Sequence, residues 1–439
     1  MAIKGHRVGD NFAFSGCNDE IILGVIRQVR CKELKLLHEI LEHVRIRPDN
    51  ESMIHAIPAD IPALLVKLNE YARDNARIMS VYRERKWPLV WLAAACNRPA
   101  FDVFWAALNG QVGPLDAFPG NIHFYEKHSS IAASDTPFLL DLHALQTISC
   151  FDLMPILQLI RNRCRICQSA VDALTSAIQA IKLSQHSEQS ISGDGIGGAT
   201  LYTVPESERV RYRHHLSACD SFIQSLSYSQ ILPEPTRREL PEAAPAVLSF
   251  PIADMIEISR EQSIPVLLGD MRLSGLFHPD FQFSVRAVID LARRKNVLTA
   301  ERTAAVLGEM KLAGLQYISV SEDILIASRD LLIGGQKPEA FAILFSQLSP
   351  VKSDWKTSLP IIANCISTFA ITRGLDDNQR QTLVAAVLSA AFGESHQGKH
   401  LRDLVALVRA HLRLAPIQLA ATLETVRIWN SMHKNSIIT

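Results

Sequence analysis

The apolar residues in the first quarter of the chain recur at the spacing of an α-helix. Between positions 31 and 110, leucine and isoleucine return every three or four residues, which places them on one helical face. The clearest stretches are 34–41, 61–71 and 89–108. Pro62, Pro88 and Pro99 fall where such helices would begin or end. We therefore expect a helical N-terminal region over residues 1–130.

Short apolar runs alternate with helical stretches from residue 136 onward. Residues 137–141 form an apolar run that ends in an acid, which is typical of a buried parallel strand. A helical stretch over 142–160 leads to a second candidate strand at 164–168 and a second helix at 170–182. This order and spacing predict a right-handed strand-helix-strand crossover in a parallel sheet.

The alternation continues after a polar segment. Residues 184–205 are rich in serine, glutamine and glycine, so we expect a flexible loop there. Apolar periodicity then predicts helices at 206–231, 253–262, 283–293 and 300–312, and strands at 266–268 and 316–320. Every segment after residue 322 has helical spacing. The expected organisation is an α/β domain over 131–333 followed by an all-helical region over 334–439.

Composition narrows the class of protein. The chain has 439 residues, 48% of them hydrophobic and 21% charged, which excludes wholesale disorder. Basic and acidic residues number 45 each, so no basic excess points to a nucleic-acid partner. No apolar run is long enough to cross a membrane and no secretory signal is evident. Eight cysteines scattered along the chain are typical of reduced thiols, and we expect a cytoplasmic protein without membrane contact.

Two of the strand candidates end in an aspartate, Asp141 and Asp270. In an open parallel sheet, ligands bind beyond the carboxyl ends of the strands, where the strand order reverses. Two acids brought together there repel each other unless a cation such as Mg²⁺ neutralises them. Aspartate is also a common cap where a strand turns into a helix. The pattern alone leaves metal ligation and capping as equal alternatives.

Three segments of the chain resemble the acidic segments of a PIN-domain nuclease. They are FLLDLHALQTI from Phe138, CRICQSAVDALTSAI from Cys164 and FPIADMIEISREQSIPVLLGDMRLSG from Phe250. More narrowly, they resemble the PIN-like domains of bacterial conflict and defence proteins. WPLVWLAAACNRPAFDVFWAAL from Trp87 and GLQYISVSEDIL from Gly314 are similar to the segments that flank the acids in those domains.

The resemblance implies an α/β/α sandwich with a five-stranded parallel sheet and a site for phosphodiester hydrolysis with Mg²⁺ or Mn²⁺. Its substrate would be RNA rather than DNA, as in a toxin or defence effector. Asp141, Asp254 and Asp270 match the metal-binding acids of the family, and Asp172 matches the acid on the helix after the second strand. Gly269 stands where relatives often carry a further acid, and Asp172 stands where they usually carry glutamate. These departures leave an alternative, a catalytically inactive scaffold that binds proteins.

A substrate strand needs positive charge near such a site. The densest basic stretch is Arg209, Arg211 and Arg213 with Tyr212 between them, and Arg272 follows Asp270 by two residues. We expect these five residues to bind substrate, with Tyr212 stacking on a base. The alternative is an ordinary solvated helix face. For protein partners, we expect contacts through the C-terminal helices, and a homodimer.

Overall fold

The structure, a computed structural model, describes most of the chain beyond residue 60. The described residues are 11–15, 21–25, 61–116, 122–183, 189–193, 196, 199–203, 205–235, 240, 244–316, 320–335, 337–349, 353–393 and 398–435. The helix expected at 34–41 lies outside them. Within them, helices predominate around a small parallel sheet.

Helices account for most of the described elements, and their bounds agree with the apolar periodicity in the N-terminal third and in the C-terminal region. In chain order they are α1 Ile61–Arg85, α2 Leu89–Ala95, α3 Ala100–Leu108, α4 Ile122–Ala133, α5 Leu142–Cys150, α6 Met154–Ile160, α7 Gln168–Leu183, α8 Glu206–Gln224, α9 Ala244–Leu248, α10 Phe250–Gln262, α11 Val285–Arg294, α12 Ala300–Leu312, α13 Glu322–Ala327, α14 Arg329–Ile333, α15 Pro338–Phe345, α16 Trp355–Ile371, α17 Asp377–Phe392, α18 Gly398–His411 and α19 Pro416–Asn435. No helix among these residues is long and apolar enough to cross a membrane.

The strands are short. In chain order they are β1 Asn11–Ser15, β2 Ile21–Val25, β3 Leu115–Asp116, β4 Phe138–Leu140, β5 Cys164–Cys167, β6 Gln189–Gly193, β7 Ala199–Thr203, β8 Ile231–Leu232, β9 Val266–Leu268, β10 Gln282–Ser284 and β11 Leu315–Gln316. Five of them form one sheet in the order β10-β9-β4-β5-β8, and every neighbouring pair is parallel. Numbered within this sheet, the strands run 3-2-1-4-5, so the chain reverses direction across the sheet between β4 and β9.

The two central strands are buried on both faces. Successive residues of a strand point to opposite sides of the sheet. In β4 and β9, each residue is nevertheless at most 1% exposed. Their sequences, Phe-Leu-Leu and Val-Leu-Leu, are the continuous apolar runs that helices on both faces require. The α/β character expected from the sequence is therefore present, with β4, β5 and β9 close to their expected positions.

Two strands of the sheet, β8 and β10, lie where the sequence predicts helices. A helix is expected over 206–231, but α8 ends at Gln224 and β8 begins at Ile231. The fifth strand, β10, overlaps the expected start of a helix at residue 283. The strand expected at 316–320 pairs instead, through β11, with β3 outside the main sheet. Strand β8 has only two residues, and β10, Gln-Phe-Ser, lacks the continuous apolar run of β4 and β9, so neither can be separated from a helix end by pattern alone.

Three further expectations require correction. The N-terminal region is not all-helical, because β1 and β2 form an antiparallel hairpin. The segment expected as a flexible loop at 184–205 contains a second antiparallel hairpin, β6 and β7, and β6 lies against α1. The helix expected over 142–160 is two helices, because Asp152 between α5 and α6 has a left-handed backbone with φ of 52°.

The hydrophobic core continues from the sheet into the C-terminal helices. Buried residues from Tyr82 to Trp429 belong to one connected cluster. Across the expected boundary, α12 packs against α15. A side-chain carbon placed on Gly308 would lie 2.7 Å from Cβ of Ala340, so glycine allows these two helices to touch. The C-terminal helices are thus packed on the α/β region rather than only tethered to it.

Candidate functional site at the carboxyl edge of the sheet

Asp141 and Asp270 lie at the point where the strand order reverses. Asp141 directly follows β4, and Asp270 follows β9 after the single residue Gly269. Because β4 and β9 are neighbours and parallel, both acids are at the carboxyl edge of the sheet, where open α/β sheets bind their ligands. Both carboxyl groups are buried, with Asp141 1% and Asp270 0% exposed.

Both oxygens of the Asp141 carboxylate accept hydrogen bonds from backbone N–H groups. Its Oδ1 accepts a hydrogen bond from the N–H of His143 at 3.1 Å, which makes Asp141 the N-cap of α5. Its Oδ2 accepts from the N–H of Gly269 on the neighbouring strand end at 3.0 Å. One side chain therefore caps a helix and also joins β4 to the residue after β9.

His143 covers the outer side of Asp141. Its ring stacks on Phe104 of α3, with centroids 4.4 Å apart and an angle of 9° between the planes. Its Nδ1 lies 3.6 Å from Oδ1 of Asp141. Burial lowers the pKa of His143, against the opposing attraction of Asp141. We infer that the imidazole is neutral at pH 7 and that it shields the carboxylate from solvent.

Gly269 has no room for a side chain. A Cβ at this position would lie 2.4 Å from the backbone N of Ala144 and from the carbonyl carbon of His143. The first turn of α5 is packed directly against the end of β9. The family pattern often has an acid at this position, and here the backbone of α5 occupies the space that its side chain would need.

Asp270 binds the N-terminal helices. Its Oδ2 accepts a hydrogen bond from the N–H of Leu89 at 2.7 Å, and its Oδ1 accepts from the N–H of Arg272 at 3.0 Å. Leu89 is the first residue of α2, and Pro88 precedes it. The first N–H groups of a helix have no partner within the helix, so Asp270 supplies the acceptor for one of them. Asp270 therefore joins the end of β9 to the start of α2.

Arg272 adds four further contacts in the same place. Its guanidinium donates hydrogen bonds to the carbonyls of Trp87 and Pro114 at 3.0 and 2.9 Å and pairs with Asp116 at 3.2 Å. It also lies over the ring of Tyr82, 4.9 Å from the centroid. The side chain is 4% exposed. We call Tyr82, Leu89, Asp116, Asp270 and Arg272 the strand-end cluster.

Burial changes the protonation of the strand-end cluster. It raises the pKa of Asp270 to about 7, outweighing the opposing contacts with the N–H of Leu89 and with Arg272, while Asp116 adds to the rise. Burial also raises the pKa of Tyr82, whose hydroxyl donates to the carbonyl of Pro114 at 3.0 Å. The pKa of Asp270 is therefore raised toward neutrality.

We expect the Asp270→Asn substitution to remove a pH dependence of stability. The unfolded carboxyl titrates near 3.8, so between about pH 4 and pH 7 the folded protein retains a proton that the unfolded chain has released. Raising the pH through this range should destabilise the wild type relative to the variant, by up to about 4 kcal/mol. Urea unfolding of both proteins across this range measures the difference. Parallel stability curves would contradict the assignment.

The other two predicted acids differ in their surroundings. Asp254 is 2% exposed in α10, and its charge adds to the burial that raises the pKa of Cys167, which lies at the carboxyl end of β5. Asp172 is exposed on α7, where it accepts a hydrogen bond from the side chain of Gln168 at 2.9 Å. Asp172 thus lies on a solvated face of α7 rather than at the edge of an acidic site.

The described residues do not fit a bound Mg²⁺ or Mn²⁺. Divalent metals of this kind need carboxylate oxygens that converge on one point. Nowhere in the described part of the chain do three histidine, cysteine, aspartate or glutamate side chains come together in such an arrangement. Both oxygens of Asp141 and both of Asp270 already accept backbone hydrogen bonds. We therefore derive no catalytic step through a metal.

The residues expected to bind substrate have partners within the chain. Arg209 and Arg213 both pair with Glu206, the latter at 2.7 Å. Arg211 lies over the ring of Trp105, 5.2 Å from its centroid. The ring of Tyr212 stacks on Trp105 at 5.0 Å, and its hydroxyl donates to Asp102. Tyr212 thus joins α8 to α3, and its ring packs against Trp105 within the chain.

Most of the strand-end cluster is not predicted by the sequence. No pattern marks Tyr82 or Asp116 as part of a site, and the pattern around Arg272 predicts only a contact with substrate. One signal was present: Pro88 opens a helix whose first N–H groups need an acceptor, and the segment is apolar enough to be buried. Which acid supplies that acceptor depends on a contact between residues 181 positions apart.

Comparisons of the chain with models of known protein families, with curated proteins and with solved structures find no match.

Proposed function

We propose that this chain is a non-catalytic PIN-like scaffold that acts as a protein-interaction module. The observation that carries the proposal is that Asp141 and Asp270 serve as buried caps. Each bonds two backbone N–H groups, and together they hold α5, β9 and α2 at the carboxyl edge of the sheet. A catalytic pair would need carboxylate oxygens that converge on one point and a path for the substrate.

The surroundings of the two acids support this proposal. Leu89 donates to Asp270, and His143 lies beside Asp141 with its ring stacked on Phe104; all of these residues are buried. Arg272 pairs with Asp116 within the chain, and its charge offsets only part of the rise that burial gives to the pKa of Asp270. A metal-bound phosphodiester would have to displace a packed helix start.

The direct test is an activity assay with a binding control. We expect the full chain, incubated with Mg²⁺ or Mn²⁺, to leave labelled single-stranded RNA and DNA uncut. We also expect that adding either ion leaves the melting temperature unchanged, because neither should bind. An ion that did bind the folded protein alone would stabilise it by about 2.7 kcal/mol at 100 times its dissociation constant, which would raise the melting temperature. Metal-dependent cleavage that disappears in both Asp141→Asn and Asp270→Asn, under conditions where the variants stay folded, would overturn the proposal.

A second candidate is a metal-dependent endonuclease that acts on RNA and is held closed. The strand order 3-2-1-4-5 favours it, because it places Asp141 and Asp270 on the two sides of the switch point. In this case the contact between Leu89 and Asp270 would have to open before a metal enters. Chains in which Leu89→Pro removes the N–H donor should then show cleavage that the wild type lacks.

A further inference from the structure

The turn that joins α18 to α19 carries two aliphatic side chains that are open to solvent. Leu414 lies in the turn and is 89% exposed, and Ile417, in the first turn of α19, is 79% exposed. Leu412, just before the turn, is only 1% exposed. We call residues 409–417 the hairpin tip, and its two exposed aliphatic residues are uncovered in the described structure.

The helices on both sides of the hairpin tip are fixed to the rest of the C-terminal region. α18 packs against α16 through buried residues that include Leu404 and Val408, and α19 packs against α17. In α19, Trp429 is 1% exposed, and its Nε1 donates a hydrogen bond to Oγ of Ser389 in α17 at 2.9 Å. The hairpin tip is therefore presented on anchored helices.

The hairpin tip is also positively charged. Arg409, in the last turn of α18, and Arg413, directly before Leu414, are both exposed. Arg402 precedes Arg409 by seven residues, which places it on the same side of α18. The segment from residue 404 to residue 423 contains no acidic residue. Positive charge and exposed apolar surface thus occur together at one end of the hairpin.

These arginines differ from others on the surface of the chain. Arg302 pairs with Asp152, and Arg427 pairs with Glu424. By contrast, the side chains of the three arginines on and before the hairpin tip have no ion pair within the part of the chain that the structure describes. Their charges are therefore available to a negatively charged partner.

An anionic lipid surface offers what both kinds of residue need. Aliphatic side chains can enter the boundary between headgroups and acyl chains, while basic side chains bind the lipid phosphates. Nucleic acid also offers phosphates, but its bases are held by stacking on aromatic side chains. No phenylalanine, tyrosine or tryptophan occurs between Phe392 and Trp429, so a nucleic acid would leave Leu414 and Ile417 in water.

We infer that the hairpin tip docks on an anionic lipid surface, with Leu414 and Ile417 at the acyl boundary and Arg409 and Arg413 on headgroup phosphates. The contact is peripheral. It departs from the expectation of no membrane contact, which depended on the absence of an apolar run long enough to cross a bilayer. The inference goes beyond the proposed function and does not depend on whether the carboxyl edge is catalytic.

Co-sedimentation of the full chain with lipid vesicles tests the docking. We expect the wild type to pellet with phosphatidylcholine vesicles that contain about 30% phosphatidylserine, and to stay in the supernatant with phosphatidylcholine alone. Raising the salt concentration from about 0.1 M to about 0.5 M should release most of the bound protein, because salt screens the attraction between arginine and lipid phosphate.

Polar substitutions test the apolar part of the contact. The double variant Leu414→Ser, Ile417→Ser should bind anionic vesicles at least about tenfold more weakly, because each methylene removed no longer leaves water. Val210→Ser is the matched control. Val210 is an aliphatic residue of α8 that is 50% exposed and lies beside arginines that pair with Glu206. This control should bind as the wild type does.

Charge removal tests the basic part of the contact. Arg409→Gln and Arg413→Gln should each weaken vesicle binding by about fivefold. Arg329→Gln removes the same charge from an arginine that pairs with Asp330, and it should bind as the wild type does. Basic residues near the end of a helix can also stabilise the helix itself. That role alone predicts a lower melting temperature with unchanged vesicle binding.

Four results would overturn the inference: a wild type that ignores anionic vesicles, equal binding to phosphatidylcholine alone, binding that the double serine variant leaves intact, or binding that neither arginine variant weakens. Intact binding in the double serine variant, together with loss in the arginine variants, would indicate a plain polyanion such as RNA. These outcomes are separate from those of the nuclease assay. A chain that neither binds vesicles nor cuts nucleic acid loses this inference and keeps the scaffold proposal.

Discussion

Asp141→Asn is expected to lower the free energy of unfolding by about 2–3 kcal/mol. In the wild type, both carboxylate oxygens accept hydrogen bonds from buried N–H groups, those of His143 and Gly269. Asparagine has the same shape but only one acceptor oxygen. Its NH₂ group would point at one of the two N–H donors, which loses that hydrogen bond and leaves a buried donor without a partner.

The sign of this change separates the two functional readings. Acids that converge to hold a metal repel each other in the metal-free protein, so replacing one of them by a neutral amide stabilises the fold. Acids that cap backbone groups have the opposite effect. Urea unfolding without added metal measures the change, and Asp172→Asn is the control, because Asp172 is exposed and should change stability by less than about 0.5 kcal/mol. A stabilised Asp141→Asn protein would favour the metal site.

Gly269→Ala is expected to destabilise the protein by about 3 kcal/mol. The added methyl group would lie 2.4 Å from two backbone atoms of α5, which no rotation of a side chain can relieve. The helix would have to move away from β9, and the hydrogen bond between Asp141 and the N–H of Gly269 would lengthen with it. Thermal or urea unfolding of the variant measures the cost.

Gly374→Ala provides the matched comparison. Gly374 has a left-handed backbone, with φ of 86°, but nothing lies within 4 Å of the position of a Cβ. Its substitution should cost only the backbone strain of about 1 kcal/mol. If Gly269→Ala proved no more destabilising than Gly374→Ala, the close packing of α5 on β9 would be wrong. The room for a second acid at the strand end would then have to be reconsidered.

The sequence was most informative where apolar runs were long or continuous. The buried strands β4, β5 and β9 and the helices of the C-terminal region follow directly from their patterns. The strands β8 and β10 do not follow from the pattern, because β8 has only two residues and β10, Gln-Phe-Ser, lacks the continuous apolar run of β4 and β9. They become strands only because the backbones of β5 and β9 offer hydrogen-bonding partners beside them.

The same division applies to the candidate site. Local pattern places Asp141 and Asp270 at strand ends, and it is compatible with two roles for them, metal ligand and helix cap. The choice depends on which groups surround the carboxylates, and those groups come from distant segments, such as Leu89 for Asp270. Arg272 is similar: its position beside Asp270 suggested a substrate contact, whereas its partners are Trp87, Pro114 and Asp116.

The sequence alone therefore determined the α/β class, the central strands and the presence of two acids where those strands end. Hydrophobic periodicity and strand length depend on neighbouring residues, so they can be read locally. Only the tertiary structure decided what the acids do. It placed the first turn of α5 against Gly269 and the start of α2 against Asp270, and buried backbone N–H groups must find acceptors wherever folding brings them. The two carboxylates therefore accept hydrogen bonds from these N–H groups and act as caps at the carboxyl edge of the sheet.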